Sequence, residues 1–166
     1  MTSKQRNEFE NYISDIVLNK KFNQLSKEIH HGITRYEHSM RVAKYSYIFC
    51  NRFNKKNKRD VTRAALLHDF FVNSDMGNQS GSKKLESHPS VALENAKKYF
   101  EINDIQEDII VKHMFPVTLS LPKYKESWLV STVDKLVGLY EMVRFKLPLY
   151  TSIYLLFVMQ VLTIPR

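Results

Sequence analysis

The chain holds a single cysteine, Cys50, which excludes an internal disulfide and a cysteine-built zinc site and fits a reducing compartment. Glycine and proline are scarce, four and five in 166 residues, so few positions break a helix and many short strands are not expected. No stretch interleaves lysine and arginine with aromatic residues as a single-strand groove requires, which leaves no firm nucleic-acid signal. The densest basic cluster, Lys55, Lys56, Asn57, Lys58 and Arg59, reads as a solvated turn between two helices. Residues 1–10 are polar and do not read as a secretory leader, so the expected location is cytoplasmic.

What the chain does contain is ordinary for a globular domain: 43% hydrophobic and 25% charged residues, in a length that suits one core. The formal net charge of +8 favours anionic partners such as nucleotides, nucleic acid or acidic lipid. The expected division is one domain over residues 1–146 and an apolar C-terminal helix over residues 147–166. Residues 147–164 carry no formal charge between Lys146 and Arg166, near the minimum of about 17 residues for a membrane span. Pro148, Thr151, Ser152, Gln160 and Thr163 dilute the run. The expected role is a helix packed on the domain or at a homodimer interface, with contact at a membrane surface as the second reading.

Periodicity gives helices. Phe9, Ile13, Ile16 and Val17 recur at helical spacing near the start. Thr34 and Glu37 form a capping-box opening for a helix running to about residue 53, with His38, Val42, Tyr45 and Phe49 on one stripe. A second helix over about 60–69 carries Val61, Ala64, Ala65 and His68 on one face. Residues 73–87, polar and holding Gly77 and Gly81, read as a loop. Pro89 suits a first helical position, with His88 at the helix start and Ala92, Ala96 and Tyr99 continuing its stripe. Asp104 reads as the cap of a helix in which Ile105, Ile109 and His113 are four apart. Pro116 and Pro122 bracket a loop. A last helix over about 125–144 has Leu129, Val133, Leu136, Val137 and Tyr140 as its core face and Asp134 at the edge, between Val130 and Val137.

His68 and Asp69 are the most informative pair, because they close the otherwise apolar run Ala64, Ala65, Leu66, Leu67. Four of the six histidines, His38, His68, His88 and His113, fall on apolar stripes of different helices. One buried histidine is commonly a core residue, but four share a cause more readily than they coincide. Burying that many titratable groups is costly unless each is paired or bound to metal. Asp69 and Asp134 add carboxylates, which a cation would stabilise. Histidine nitrogen with carboxylate oxygen and no thiolate suits first-row ions: iron or manganese foremost, with zinc, cobalt or nickel also accepted.

The ordered set Tyr36-Glu37-His38-Ser39, Ala65-Leu66-Leu67-His68-Asp69 and Val133-Asp134-Lys135 resembles the HD-domain superfamily of metal-dependent phosphohydrolases over about residues 33–143. Ser87-His88-Pro89 and Val111-Lys112-His113-Met114 are similar to the branch that holds two metals. The resemblance implies an all-α, HD-domain-like bundle of about six to seven helices. It implies that His38, His68, Asp69 and Asp134 hold the first metal, and that His88 and His113 hold the second with Asp69 bridging. His68 and Asp69 are then the central catalytic pair. The implied reaction is attack by a metal-bridging hydroxide on a phosphate ester or anhydride of a nucleotide or related small molecule.

Candidate substrate contacts are Arg35 and Arg41, three residues to either side of His38, with Lys112 before His113, Lys135 after Asp134, and His31 as a leaving-group acid; a solvent-facing or ion-pair role is the plainer reading of each. Phe70, Phe71, Val72 and Asn73 follow the His-Asp pair, without the lysine and the Gly-Tyr-Pro of cyclic-dinucleotide phosphodiesterases in the superfamily, so that substrate is disfavoured. The six-ligand set resembles the small bacterial HD hydrolases of dinucleoside polyphosphates. It also resembles the superfamily's mixed-valent di-iron oxygenases. A third reading is a binding or regulatory module stabilised by metal without turnover.

Overall fold

The computed structural model describes residues 1–30, 32–53, 56–77, 81–146 and 150–152. Seven α-helices make up most of this: α1 (Ser3–Val17), α2 (Lys20–Asn23), α3 (Arg35–Phe53), α4 (Lys58–Leu67), α5 (Gly81–Tyr99), α6 (Asp104–Lys112) and α7 (Lys125–Glu141). Strands β1 (Ile29–His30) and β2 (Ile33–Thr34) form a two-residue antiparallel ladder just before α3. The protein is an all-α bundle, as the scarcity of breakers and the helical periodicity imply.

Helix α4 is its axis. It packs against α1, α3, α5, α6 and α7, and Val61, Ala64, Ala65, Leu66 and Leu67 are fully buried. Its last four residues are apolar and fully buried, and the two alanines let its neighbours come close. Its charged residues lie nearer the start, where Arg59 is exposed, and the buried ones are paired. Arg63 donates to both carboxylate oxygens of Asp15 at 2.5 and 2.7 Å, and Lys58 reaches Glu8 at 2.7 Å. The basic cluster expected to be a solvated turn is thus corrected in part: Lys58 is buried in an ion pair, because α1 lies across the start of α4. Lys55 lies outside the described residues.

Several expected boundaries hold. Helix α3 opens with Thr34 Oγ1 accepting from the Glu37 amide at 3.2 Å and the Thr34 amide donating back to Glu37 at 2.9 Å, and it ends at Phe53. On α1, Phe9, Ile13 and Ile16 face the core.

Others are corrected. Residues 73–87 are not one loop: Asn73–Met76 is a 3-10 turn, and α5 begins at Gly81, so Pro89 and His88 lie inside that helix. Lys83, Glu86 and their neighbours are good helix formers, and their propensity outweighs the preference of proline for a first turn. Gly81 enters the helix at φ 61, in the left-handed region that favours glycine. The cap of α6 is Asn103, whose side chain accepts from the Gln106 amide, and not Asp104. Helix α4 starts two residues before the expected 60 and stops at Leu67, leaving His68 as its C-cap. Helix α7 stops at Glu141 and passes into a π-helical turn, Met142–Lys146.

The core faces of α3 and α7 are also rotated from the expected ones. Tyr45, Phe49, Leu136 and Tyr140 are exposed. The buried stripes are His38, Val42, Ser46 and Tyr47 on α3, and Val130, Val133, Val137 and Glu141 on α7. The apolar residues of both helices cover a wider arc than the core can take, and the excess lines a shallow surface groove of about 260 Å³. Tyr99 is likewise largely exposed while Ala92 and Ala96 are fully buried. No helix among the described residues is long and apolar enough to cross a membrane. The expected packing, dimer and membrane roles of residues 147–164 fall outside the described residues, apart from the exposed helical residues 150–152.

Candidate metal centre

The six expected ligands come from five helices or their ends and meet beside the C-terminal end of α4. His38 is on the first turn of α3, His68 caps α4 and Asp69 follows it. His88 is in α5, His113 caps α6, and Asp134 is in α7. All four histidines and Asp69 are buried, and the Asp134 side chain is 15% exposed.

Two groups of donors stand close enough to share an ion: His38 with His68 and Asp134, and His68 with Asp69 and His113. In the first, Asp134 Oδ1 lies 3.1 Å from His38 Nε2 and 3.5 Å from His68 Nε2. In the second, Asp69 Oδ2 lies 3.8 Å from His68 Nε2, while Asp69 Oδ1 lies 3.7 Å from His113 Nε2 and 3.4 Å from His88 Nε2. His88 Nε2 and His113 Nε2 are 3.1 Å apart. Asp69 therefore faces His68 with one oxygen and the His88–His113 pair with the other.

Ring tautomers follow from the acceptors outside the cluster. His68 Nδ1 lies 2.8 Å from the Ala65 carbonyl and His113 Nδ1 lies 2.7 Å from the Ile110 carbonyl. A carbonyl oxygen only accepts, so each Nδ1 carries the hydrogen and each neutral ring presents a lone pair at Nε2. Both carbonyls belong to the last turn of the helix that the histidine caps, so the helix end aims the ring. His38 Nδ1 lies 2.7 Å from Glu141 Oε2 and its Nε2 likewise points inward.

The electrostatics match a site built around positive charge. Burial works against protonating His38, but hydrogen bonds to Asp134 and Glu141 prevail and raise it to about 10. His68 is also raised despite burial, by Asp69 and Asp134. Burial, with the charge of His68, lowers His113 to about 4. Asp134 is held well below the usual carboxylate range by His38 and His68, although burial opposes its ionisation. The carboxylates Asp69, Asp134 and Glu141 thus favour positive charge within the cluster.

The residues present fit metal. His68 Nε2 is buried and makes no hydrogen bond of good geometry, its nearest acceptors being Asp134 at 3.5 Å and Asp69 at 3.8 Å, so donors converge on a common point without pairing closely with one another. The donors are imidazole and carboxylate without thiolate, which suits first-row divalent ions.

The candidate substrate contacts are occupied elsewhere. Arg35 is buried, donates to the Phe71 carbonyl at 2.8 Å, and stacks over the Phe71 ring at 3.9 Å. Arg41 pairs with Glu141. Lys112 reaches Ser120 Oγ. Lys135 donates to the His113 carbonyl and to Ser131 Oγ, both at 2.8 Å, and burial lowers its pKa. His31 lies outside the described residues. A cavity of about 620 Å³ between α1 and α3, bordered by Phe9, Ile13, Val17 and Met40, touches none of the six ligands.

Glu141 is the site residue that sequence reading missed. It is fully buried and holds His38. Its signal was its place two turns beyond Asp134 on the stripe of Val130 and Val137, a carboxylate where an apolar residue belongs.

The HD domain family profile matches residues 35–139, and the chain belongs to that family, whose members bind divalent metals. No curated protein and no solved structure shows significant similarity to it.

Proposed function

We propose that this protein is a two-metal phosphohydrolase acting on a phosphate ester or anhydride of a nucleotide or related small anion. The observation that carries this reading is the placement of Asp69: its Oδ2 faces His68 and its Oδ1 faces His88 and His113, as a carboxylate shared between two ions would be placed. His38, His68 and Asp134 would hold the first ion with one oxygen of Asp69, and His88 and His113 the second with the other. Bound there, first-row ions supply Lewis-acid polarisation of phosphoryl oxygens and acidify water.

The chain's own residues do the rest. Ala65 and Ile110 hold two rings by their carbonyls, so the donors are set before an ion arrives. Lys135 and Ser131 hold the His113 carbonyl, which fixes the end of α6 against α7. The net charge of +8 draws anions toward the surface. Arg35, Arg41, Lys112 and Lys135 would each have to release a partner to reach a phosphate, so their contribution to substrate is indirect until such a release is observed.

The test is phosphate release from a panel of nucleotides and small phosphoesters by protein loaded with manganese, and separately with iron. Release that disappears in Asp69→Ala supports the reading. Oxygen consumption with iron and no phosphate release would make it an oxygenase. Full loading with neither would make it a metal-stabilised binding module.

A further inference from the structure

Glu141 is an expensive residue to place where it is. Its side chain is 0% exposed, and a buried carboxylate is tolerated only when its charge is answered. Both oxygens are answered, and by different groups. Oε2 accepts from His38 Nδ1 at 2.7 Å, and Oε1 is paired with the guanidinium of Arg41. Arg41 lies one turn beyond His38 on α3, at 27% exposure, and its guanidinium is 5.9 Å from the centre of the Tyr140 ring, next to Glu141 in sequence.

We propose that Glu141 is a positioning residue for the first metal site, fixing the tautomer and aim of His38, and that Arg41 in turn fixes Glu141. The inference rests on the metal-centre reading above. A neutral imidazole offers its lone pair at whichever nitrogen lacks the hydrogen, and rotation about χ2 changes where that nitrogen points. An ionised carboxylate at Nδ1 can only accept, so the hydrogen stays on that side and Nε2 is left facing Asp134 and His68. The other two ring-fixing contacts use carbonyls of their own helices, which come without cost in sequence. His68 and His113 cap their helices, where the last-turn carbonyls have no amide of their own helix to accept from, whereas His38 stands on the first turn of α3, where the carbonyl three residues back, that of Arg35, belongs to the helix's own ladder, and its acceptor comes from another helix. Glu141, at the end of α7, fills that place. A carboxylate acceptor also raises the basicity of the ring nitrogen opposite, which strengthens its bond to a cation.

The experiment is calorimetric titration of metal-free, full-length protein with manganese, for wild type, Glu141→Gln, Glu141→Ala and Arg41→Gln. Wild type is expected to bind two ions. Glu141→Ala should weaken one of them by about 10–100-fold and leave the other within about twofold. Glu141→Gln, which can still accept from His38 but lacks the charge, should fall between. Arg41→Gln, a partly exposed change that leaves Glu141 in place, should weaken the same ion by a few-fold and covers the case in which the buried variants do not fold. A lowered melting temperature with both affinities unchanged would make Glu141 structural and overturn the proposal. Equal weakening of both ions would overturn it as well. Wild type binding no metal would overturn the metal-centre reading and this inference with it, a result separate from any variant's.

Discussion

His38 and Asp134 are 96 positions apart in the chain and meet with Nε2 and Oδ1 at 3.1 Å. Nothing local brings them together: α3 and α7 each pack on α4 and on one another, and the contact exists only once all three helices are in place. A metal site assembled this way is part of the tertiary structure, and its energetics are coupled to folding.

Removing metal should therefore lower the melting temperature. A ligand held at about 100 times its dissociation constant stabilises the folded state by about 2.7 kcal/mol. For a chain of this size that corresponds to about 5–10 °C. Differential scanning fluorimetry with and without a chelator measures it directly. An unchanged melting temperature after chelation of fully loaded protein would mean that the cluster contributes nothing to the fold.

Metal content should respond differently to two single changes. Asp69→Ala removes the carboxylate that faces both donor groups, so metal should fall towards zero and phosphate release should vanish. His113→Ala removes a donor from the second group alone and should cost mainly one ion. Elemental analysis of each purified variant, per chain, decides the division. Unchanged metal in Asp69→Ala would refute a bridging role, and loss of both ions in His113→Ala would refute the assignment of His113 to one of them.

The donor set was legible in the sequence because chemistry-bearing residues stood out against apolar stripes. His68 and Asp69 end a run that is otherwise alanine and leucine, and no polar residue enters such a position without a partner. The start of helix α3 was legible because Thr34 and Glu37 cap it reciprocally. What was hidden depended on packing. Tyr45, Phe49, Leu136 and Tyr140 have the spacing of core residues, but which side of a wide apolar stripe is covered depends on where the neighbouring helices lie. Pro89 pointed to a helix start, yet α5 begins eight residues earlier, since local propensity over 81–88 prevailed. The ties of Arg35 and Arg41 could not be read because their partners, Phe71 and Glu141, are distant in sequence.

Acid should weaken the fold through Glu8. Its carboxylate accepts from Lys58, Tyr12 and Tyr47, and these hydrogen bonds lower it from 4.5 to about 2, Lys58 contributing most. Because the folded value lies below the unfolded one, the stabilisation is fully present above about pH 4.5 and is lost as pH falls toward 2. The side chain is 34% exposed, so screening reduces the net effect to about 1 kcal/mol. Glu8→Gln should thus be less stable than wild type by about that amount at neutral pH, and the two should converge near pH 2. Urea denaturation across this range checks both. A constant gap between the two proteins would show that the loss is one of packing and not of charge.

Arg35 offers a clean separation between a substrate contact and a brace. Its guanidinium donates to the Phe71 carbonyl at 2.8 Å and covers the Phe71 ring at 3.9 Å, with Glu28 at 3.7 Å. Phe71 in turn lies against His88, with ring centres 5.3 Å apart, so Arg35 supports the chain just after Asp69 from behind. Lysine can keep the charge but not the planar stack and the aimed hydrogen bond together. Arg35→Lys should therefore cost about 2–3 kcal/mol of stability, from a charge-assisted hydrogen bond and a desolvated cation–π contact. The KM for whichever phosphoester is turned over should stay within about twofold, because the guanidinium faces Phe71. A raised KM with an unchanged melting temperature would reverse this assignment and put Arg35 on the substrate.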